Sequence, residues 1–156
     1  EVDIAIVVAD GLSSTAISHQ AMPFLALLLP AFAERGWRVA PITFALQSRV
    51  ALGDEIGERL KARCVVVLIG ERPGLSSPDS LGVYLTWAPK VGRMDSERNC
   101  ISNVRPAGLP YKQACHKLCW LLGEAFTRRL TGVALKDESD QLQLNEQSGA
   151  QLQASV

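Results

Sequence analysis

Two short runs of apolar, mostly β-branched residues constrain the fold of this chain more than any other feature. Residues 4–9 read Ile-Ala-Ile-Val-Val-Ala, and residues 64–69 read Cys-Val-Val-Val-Leu-Ile. A strand that is apolar at every position must be buried on both faces, which is typical of the central strands of a parallel sheet covered by helices. The two runs end at Asp10-Gly11 and at Gly70-Glu71. The pattern therefore predicts an α/β domain built around these two strands.

The remaining elements follow from shorter patterns. Further strands are predicted at residues 39–44, 81–87 and 132–135. Helices are predicted at residues 14–19, 23–35, 52–61 and 111–130. Pro30 lacks a backbone N–H, so we expect the second of these helices to be kinked or broken there. Strands that alternate with helices favour an open, mostly parallel, Rossmann-like sheet with helices on both faces.

Length and charge narrow the class of protein. The chain has 156 residues, 47% of them hydrophobic, and its 16 acidic and 16 basic residues cancel. This composition predicts one packed domain over residues 1–136 and a poorly ordered Gln-rich tail over 137–156. A neutral chain offers no general attraction for nucleic acid. The apolar stretch 21–33 is shorter than the ~20 residues of a membrane span, so we expect no membrane partner.

The chain opens on Glu1 rather than Met, and a predicted strand follows at once. We therefore expect its natural N-terminal segment to lie upstream. The four cysteines are too few for a disulfide scaffold, so the reducing cytoplasm is the expected compartment.

The loops that follow the predicted strands are the candidate binding region, because ligands of open α/β sheets bind beyond the carboxyl ends of the strands. We expect Asp10-Gly11, the loop after Phe44, the loop 70–80 and Asn99-Cys100 to lie at one edge. The loop 70–80 is either an ordinary turn or a site where the backbone approaches a ligand and Glu71 accepts hydrogen bonds. It contains neither a GxGxxG nor a GxxxxGK[ST] motif, so nucleotide binding of those kinds is not indicated.

No catalytic or metal-binding constellation is apparent in the sequence. Cys100 has no histidine near it in sequence to act as a base. Cys115, His116 and Cys119 lack a second Cys or His pair at zinc-site spacing, so neither catalytic nor metal-ligating residues are assigned. The residues alone thus predict a binding layer without its own acid–base machinery.

Two short sequence segments are specific enough to indicate a family. Residues 66–75 (VVLIGERPGL), followed by residues 99–103 (NCISN), resemble the small (light) subunit of ethanolamine ammonia-lyase. Shorter matches are VADGLS at 8–13, Arg49-Val50 and DEIGE at 54–58, and the resemblance runs in order from residue 3 to 135.

The resemblance implies a subunit of a lyase that uses adenosylcobalamin to convert ethanolamine to acetaldehyde and ammonia. It implies that the radical and substrate chemistry belongs to a heavy subunit with a TIM-type barrel. The light subunit would cover the cobalamin at the interface, within a hexamer of heavy–light pairs, and would be inactive alone.

The resemblance also implies three cobalamin-contacting residues. Val50 would pack against the corrin periphery, Glu71 would accept a hydrogen bond from a ring amide, and Cys100 would fill a gap beside the macrocycle. Asp10 is not part of the D-x-H-x-x-G motif of proteins that replace the lower cobalt ligand, because Leu12 stands in the histidine position. The resemblance therefore implies a base-on cofactor, in which the cobalamin's own dimethylbenzimidazole stays bound to cobalt.

The sequence leaves one alternative function and two locations open. The alternative is a stand-alone α/β cobalamin-binding or scaffold module without lyase activity. The family implies either the cytoplasm or the interior of a bacterial microcompartment.

Overall fold

The computed structural model describes residues 2–71 and 79–140, and within them the chain forms an α/β fold on one open, mixed sheet. The five strands lie in the order β2-β1-β3-β4-β5. They are β1 (Val2–Ala9), β2 (Thr43–Ala45), β3 (Ala62–Gly70), β4 (Leu81–Trp87) and β5 (Arg98–Val104). The helices are α1 (Ser14–Ala16), α2 (Met22–Glu34), α3 (Ala51–Arg59) and α4 (Tyr111–Arg128).

The two apolar runs form the centre of the sheet, as predicted. They are the buried parts of β1 and β3, which pair in parallel with Val7 opposite Val67. β2 extends the parallel part beyond β1, but it has only three residues. Of the longer strand predicted at 39–44, only residues 43 and 44 lie in β2. Val39 forms an isolated bridge with Ile4, and Pro41, without an N–H, follows closely after it.

The prediction of a mostly parallel sheet is wrong for the half that contains β4 and β5. β4 is antiparallel to β3, and β5 is antiparallel to β4. Residues 71–80 connect β3 to β4, and a parallel pair would need a crossover of about a dozen residues or more. Residues 72–78 of this connection, which include most of the predicted binding loop, lie outside the described residues.

The strand predicted at 81–87 is confirmed as β4, but two errors of opposite kind follow it along the chain. β5 was not predicted, because its sequence Arg-Asn-Cys-Ile-Ser-Asn-Val has few apolar residues. The strand predicted at 132–135 is a turn. The Asn99 side chain of β5 binds that turn, donating to the Leu135 carbonyl at 2.9 Å and accepting from the Gly132 N–H at 2.6 Å. An amide side chain thus replaces the expected strand ladder.

A long continuous helix follows β1. Ser13 caps it by accepting a hydrogen bond from the Ala16 N–H, and a π-helical turn, Ile17–Ala21, joins α1 to α2. The expected break at Pro30 is not seen, since α2 continues to Glu34 and Pro30 is exposed. By length and composition, Ser14–Glu34 is the one helix among the described residues that could cross a membrane. Its large side chains Phe24, Leu28 and Phe32 are fully buried in the core of this domain.

The sheet separates two apolar clusters. The larger lies between one sheet face and the helices α2 and α4, and the smaller lies on the alternate side chains of β1 and β3, where Ile56 of α3 packs. Gly53 and Gly57 allow α3 to approach β3 closely, because a Cβ at Gly53 would overlap the Val67 side chain. On this second face, Cys100 and Ser102 of β5 are exposed. The second face therefore has a covered half and an open half.

The chain continues beyond α4 along that helix. Lys117 of α4 forms ion pairs with Asp137 and Asp140, and Ser139 is fully buried. Residues 141–156 lie outside the described residues, so the division into a domain at 1–136 and a tail at 137–156 stays a prediction.

Candidate binding site at the carboxyl edge of the sheet

A cleft of about 620 Å³ opens where β1 and β3 end. It is lined by three chain segments, residues 10–12, 47–50 and 69–71, together with Tyr84 of β4. The expectation that Asp10-Gly11, the loop after Phe44 and Gly70-Glu71 meet at one edge is therefore confirmed. Asn99 and Cys100 instead lie within β5.

The turn after β1 is packed tightly against the end of β3. Gly11 has φ +57°, and a Cβ there would lie 2.7 Å from the Gly70 carbonyl oxygen. The N–H of Leu12 donates to the same oxygen at 3.0 Å. Only glycine fits this combination of left-handed backbone and close contact, so the VADGLS motif has a structural reason.

Asp10 holds the loop that carries Val50. Its carboxylate accepts a hydrogen bond from the Ser48 N–H, and backbone N–H groups, that of Gln47 above all, keep the pKa of this carboxyl below its usual range. Val50 follows directly, half-buried at the start of α3, and packs on the smaller apolar cluster. The cleft wall at Val50 is thus fixed by the end of β1.

Glu71 also lines the cleft, and its two carboxylate oxygens differ. Oε1 accepts hydrogen bonds from the Ser80 hydroxyl and from the Asn103 N–H, both at 2.8 Å. Oε2 has no hydrogen-bond partner among the described residues. The side chain lies across Gly82, where a Cβ would be 3.2 Å from the Glu71 Cγ. One oxygen is therefore anchored, and the other can accept a further hydrogen bond.

Tyr84 connects this cleft to Cys100. It lines the cleft and lies directly opposite Cys100 in the β4–β5 pairing, so both side chains project from the same face. Burial, followed by a hydrogen bond with the Cys100 side chain, raises the pKa of Tyr84 to about 12. The phenol is therefore neutral at physiological pH. Cys100 itself is exposed and lies 3.4 Å from the Ser102 hydroxyl.

Of the three residues expected to contact a ligand, Val50 and Glu71 share one cleft, and Cys100 lies beside it across Tyr84. Their roles stay predictions. Tyr84 was not predicted. Its signal was the alternation of β4, which puts Gly82, Tyr84 and Thr86 on one face, but that signal is informative only once the neighbouring strands are known.

A buried ion pair connects α3 to β5, next to the residues that line the cleft. The Arg98 guanidinium of β5 binds both carboxylate oxygens of Asp54 in α3, at 2.5 and 2.7 Å. Both side chains are almost fully buried, with 4% and 2% exposure. The carboxylate raises the pKa of Arg98 further, so the guanidinium stays charged. The pair joins α3 to β5 across β4.

Comparisons with known proteins agree with one another. The family model described as "Ethanolamine ammonia-lyase light chain (EutC)" matches residues 1–136. A protein of Azotobacter vinelandii, named ethanolamine ammonia-lyase small subunit, is 59% identical over 143 residues, which are 92% of this chain and 53% of that protein.

Two further relatives bear the same name. That of Xanthomonas campestris is 57% identical over 149 residues, which cover 96% of this chain and 55% of the relative. That of Ralstonia nicotianae is 58% identical over 139 residues, with 89% and 52% covered. The chain spans about half the length of the curated relatives it matches.

Proposed function

The chain belongs to the ethanolamine ammonia-lyase light chain family, and from this membership we propose that it serves as the light subunit of an adenosylcobalamin-dependent ethanolamine ammonia-lyase. The complete enzyme would convert ethanolamine to acetaldehyde and ammonia. In this proposal the chain forms one wall of the cobalamin site, and a heavy subunit with a TIM-type barrel forms the other wall and the substrate pocket.

The convergence of Val50, Glu71 and Tyr84 on one cleft is the observation that supports this role most strongly. These residues come from three separate parts of the chain, and Cys100 lies next to them on the same sheet face. A wall assembled from distant segments, and open on one side, suits a large ligand that a second subunit covers.

The chemistry of the wall fits the rim of a corrin. That rim bears methyl groups and side-chain amides, so it needs apolar contacts and hydrogen-bond acceptors. Val50 offers an apolar contact, and Oε2 of Glu71 is an acceptor for an amide N–H. Burial of the Glu71 charge is tolerable because Ser80 and Asn103 already satisfy the other oxygen.

The cofactor, when bound, would supply the radical chemistry of the reaction. The residues of this chain would orient it and exclude water, and none is assigned an acid–base step. We propose that the cofactor stays base-on and that the enzyme is a hexamer of heavy–light pairs. Its proposed location is the cytoplasm or a bacterial microcompartment.

Co-expression with an ethanolamine ammonia-lyase heavy subunit tests the proposal. We expect the two chains to copurify, to retain adenosylcobalamin measured by its visible absorbance, and to release acetaldehyde from ethanolamine. The heavy subunit purified alone is the control. Copurification without more bound cobalamin than this control would refute the proposed wall, and cobalamin binding by this chain without any heavy subunit would favour a stand-alone module.

A further inference from the structure

We propose that the buried Arg98–Asp54 ion pair is a positioning device that fixes the distance between Val50 and Cys100. The inference rests on the proposed function, because it concerns two residues of the proposed cobalamin wall. Arg98 and Asp54 are positioning residues in this proposal, since neither lines the cleft and both act through the residues next to them.

The contacts of Arg98 tie three elements together. Its guanidinium binds Asp54 of α3 through two hydrogen bonds, and it also donates to the Thr86 hydroxyl of β4 at 3.1 Å. A further bond reaches the Arg93 carbonyl oxygen at 3.0 Å. A bidentate guanidinium–carboxylate pair restricts both distance and orientation, so it fixes α3 relative to β5 in a defined geometry.

The pair lies one short step from each wall residue. Asp54 follows Val50 by four residues, about one turn of α3, so a shift of Asp54 moves Val50 with it. Arg98 precedes Cys100 by two residues in β5, so both side chains project from the same face of the strand. The ion pair is thus the side-chain connection between the helix that begins at Val50 and the strand that holds Cys100.

Stability alone is a weak reason for such a pair. Removing two charges from water costs free energy that their attraction often only balances, and apolar replacements of similar volume are frequently neutral or stabilising. The α3–β3 contact already has its own apolar packing, with Gly53 and Gly57 against β3 and the neighbouring Pro89. A positioning role therefore accounts for the buried Asp54 and Arg98 better than a contribution to stability alone does.

The decisive variant replaces both charges with apolar residues of similar size, Asp54→Leu with Arg98→Met. If the pair positions the wall, the double variant should keep a thermal unfolding midpoint close to that of the unmodified chain. Its Kd for adenosylcobalamin in the heavy–light complex should nevertheless rise about 10- to 100-fold, as metal affinity does when the groups that orient metal-binding side chains are removed.

Two further variants complete the design. Glu55→Gln breaks the exposed ion pair with Arg59 in the same helix and should leave both measurements unchanged. Arg98→Lys keeps the charge and loses the two-pronged geometry, so it should also raise the Kd. Should the double variant not fold, Arg98→Lys alone decides the matter.

The outcomes separate the inference from the function on which it rests. If the unmodified complex binds no more cobalamin than the heavy subunit alone, the proposed function fails. If it binds cobalamin and the double variant, or Arg98→Lys in its place, has a Kd within about twofold of it, the positioning role is refuted. Normal stability with a raised Kd supports it.

Discussion

Glu71 is anchored through one carboxylate oxygen and available through the other, which makes its contribution measurable. Replacing Glu71 with Ala should weaken cobalamin binding by the heavy–light complex by about 1–3 kcal/mol, the scale of a lost charge-assisted hydrogen bond. The measurement is the Kd for adenosylcobalamin. Glu71→Gln, which keeps an acceptor oxygen and the shape of the side chain, should lose less, and an unchanged Kd for Glu71→Ala would contradict the assignment.

Cys100 is proposed as a packing residue, so its sulfur should be replaceable. Cys100→Ser should keep most of the activity of the assembled enzyme, because serine is only slightly smaller than cysteine and no nucleophile is required at this position. Cys100→Phe, which puts a large ring beside Tyr84, should lower cobalamin affinity. An inactive Cys100→Ser enzyme with normal cobalamin binding would show that the thiol has a chemical role.

Tyr84 makes the stability of the fold sensitive to alkaline pH. Its pKa is about 12 in the folded chain against 10.0 for an ordinary tyrosine, because burial disfavours the phenolate and Cys100 binds the phenol. The folded state therefore keeps the full contribution of Tyr84 below about pH 10 and loses it as the pH rises toward 12.

Tyr84→Phe should reduce this alkaline loss. Since the ring is only half-buried, the expected difference in unfolding free energy between pH 9.5 and pH 11.5 is on the order of 1 kcal/mol. Urea unfolding of both proteins across this range measures it, and taking the difference removes the contributions of the lysines and of Tyr111, the other tyrosine. Parallel pH profiles would refute the role of Tyr84.

At the scale of elements, the packing of α3 depends on its glycines. Gly53→Ala would place a methyl group in the volume of the Val67 side chain, and overpacking of this kind should destabilise the fold by about 1–3 kcal/mol. Gly123 in α4 has no neighbour within 4 Å of an added Cβ. Gly123→Ala should therefore stabilise the fold by about 0.5–1 kcal/mol, the usual helix preference for alanine.

Chemical denaturation of the two glycine variants gives both free energies of unfolding. Opposite signs are expected. A stabilised Gly53→Ala protein would mean that α3 can move away from β3 at little cost.

The elements that could be predicted are those whose burial against neighbouring elements requires a recognisable pattern of apolar residues. The residues of β1 and β3 are apolar throughout because both faces are covered, and α4 has a clear apolar stripe. β5 could not be recognised in this way, because one face is open and Arg98 is buried only through its pairing with Asp54, 44 residues earlier in the chain. The direction of β4 did leave a signal that the prediction did not use, because the connection 71–80 is shorter than a parallel crossover usually needs.

The site was predictable to a similar degree. The rule that ligands bind beyond strand ends located the residues around Asp10 and Gly70, and the resemblance supplied Val50, Glu71 and Cys100. Neither could indicate that Tyr84 lies between them, because that follows from the pairing of β4 with both neighbouring strands. Neither could show that Asn103 anchors Glu71 through its backbone.

At the scale of the whole molecule, large apolar side chains are exposed at the edge where the cleft opens. Leu12 lines the cleft and is 69% exposed, and Leu46, which precedes the lining segment 47–50, is 84% exposed. If the heavy subunit closes the cleft, these side chains become buried on assembly. Leu46→Ser should then weaken association with the heavy subunit by about 1–3 kcal/mol.

The matched control is Val133→Ser. Val133 is 81% exposed and lies beside Ser96, near the opposite edge of the sheet where β5 begins. Both variants should leave the free energy of unfolding within about 0.5 kcal/mol of the unmodified chain, as surface substitutions usually do. Association measured by titration calorimetry should fall for Leu46→Ser alone, and equal affinities would place the heavy subunit elsewhere.

The Asn99 amide, which holds the turn at residues 132–135 against β5, also has a consequence outside the folded domain. The outer strand of a sheet has unpaired backbone groups that can pair with a strand of another chain and start aggregation. Natural proteins have features that prevent this pairing. Here the Asn99 carboxamide of the outermost strand β5 binds a turn of the same chain and keeps residues 132–135 beside that strand. We expect this contact to make strand-to-strand self-association less favourable near the start of β5.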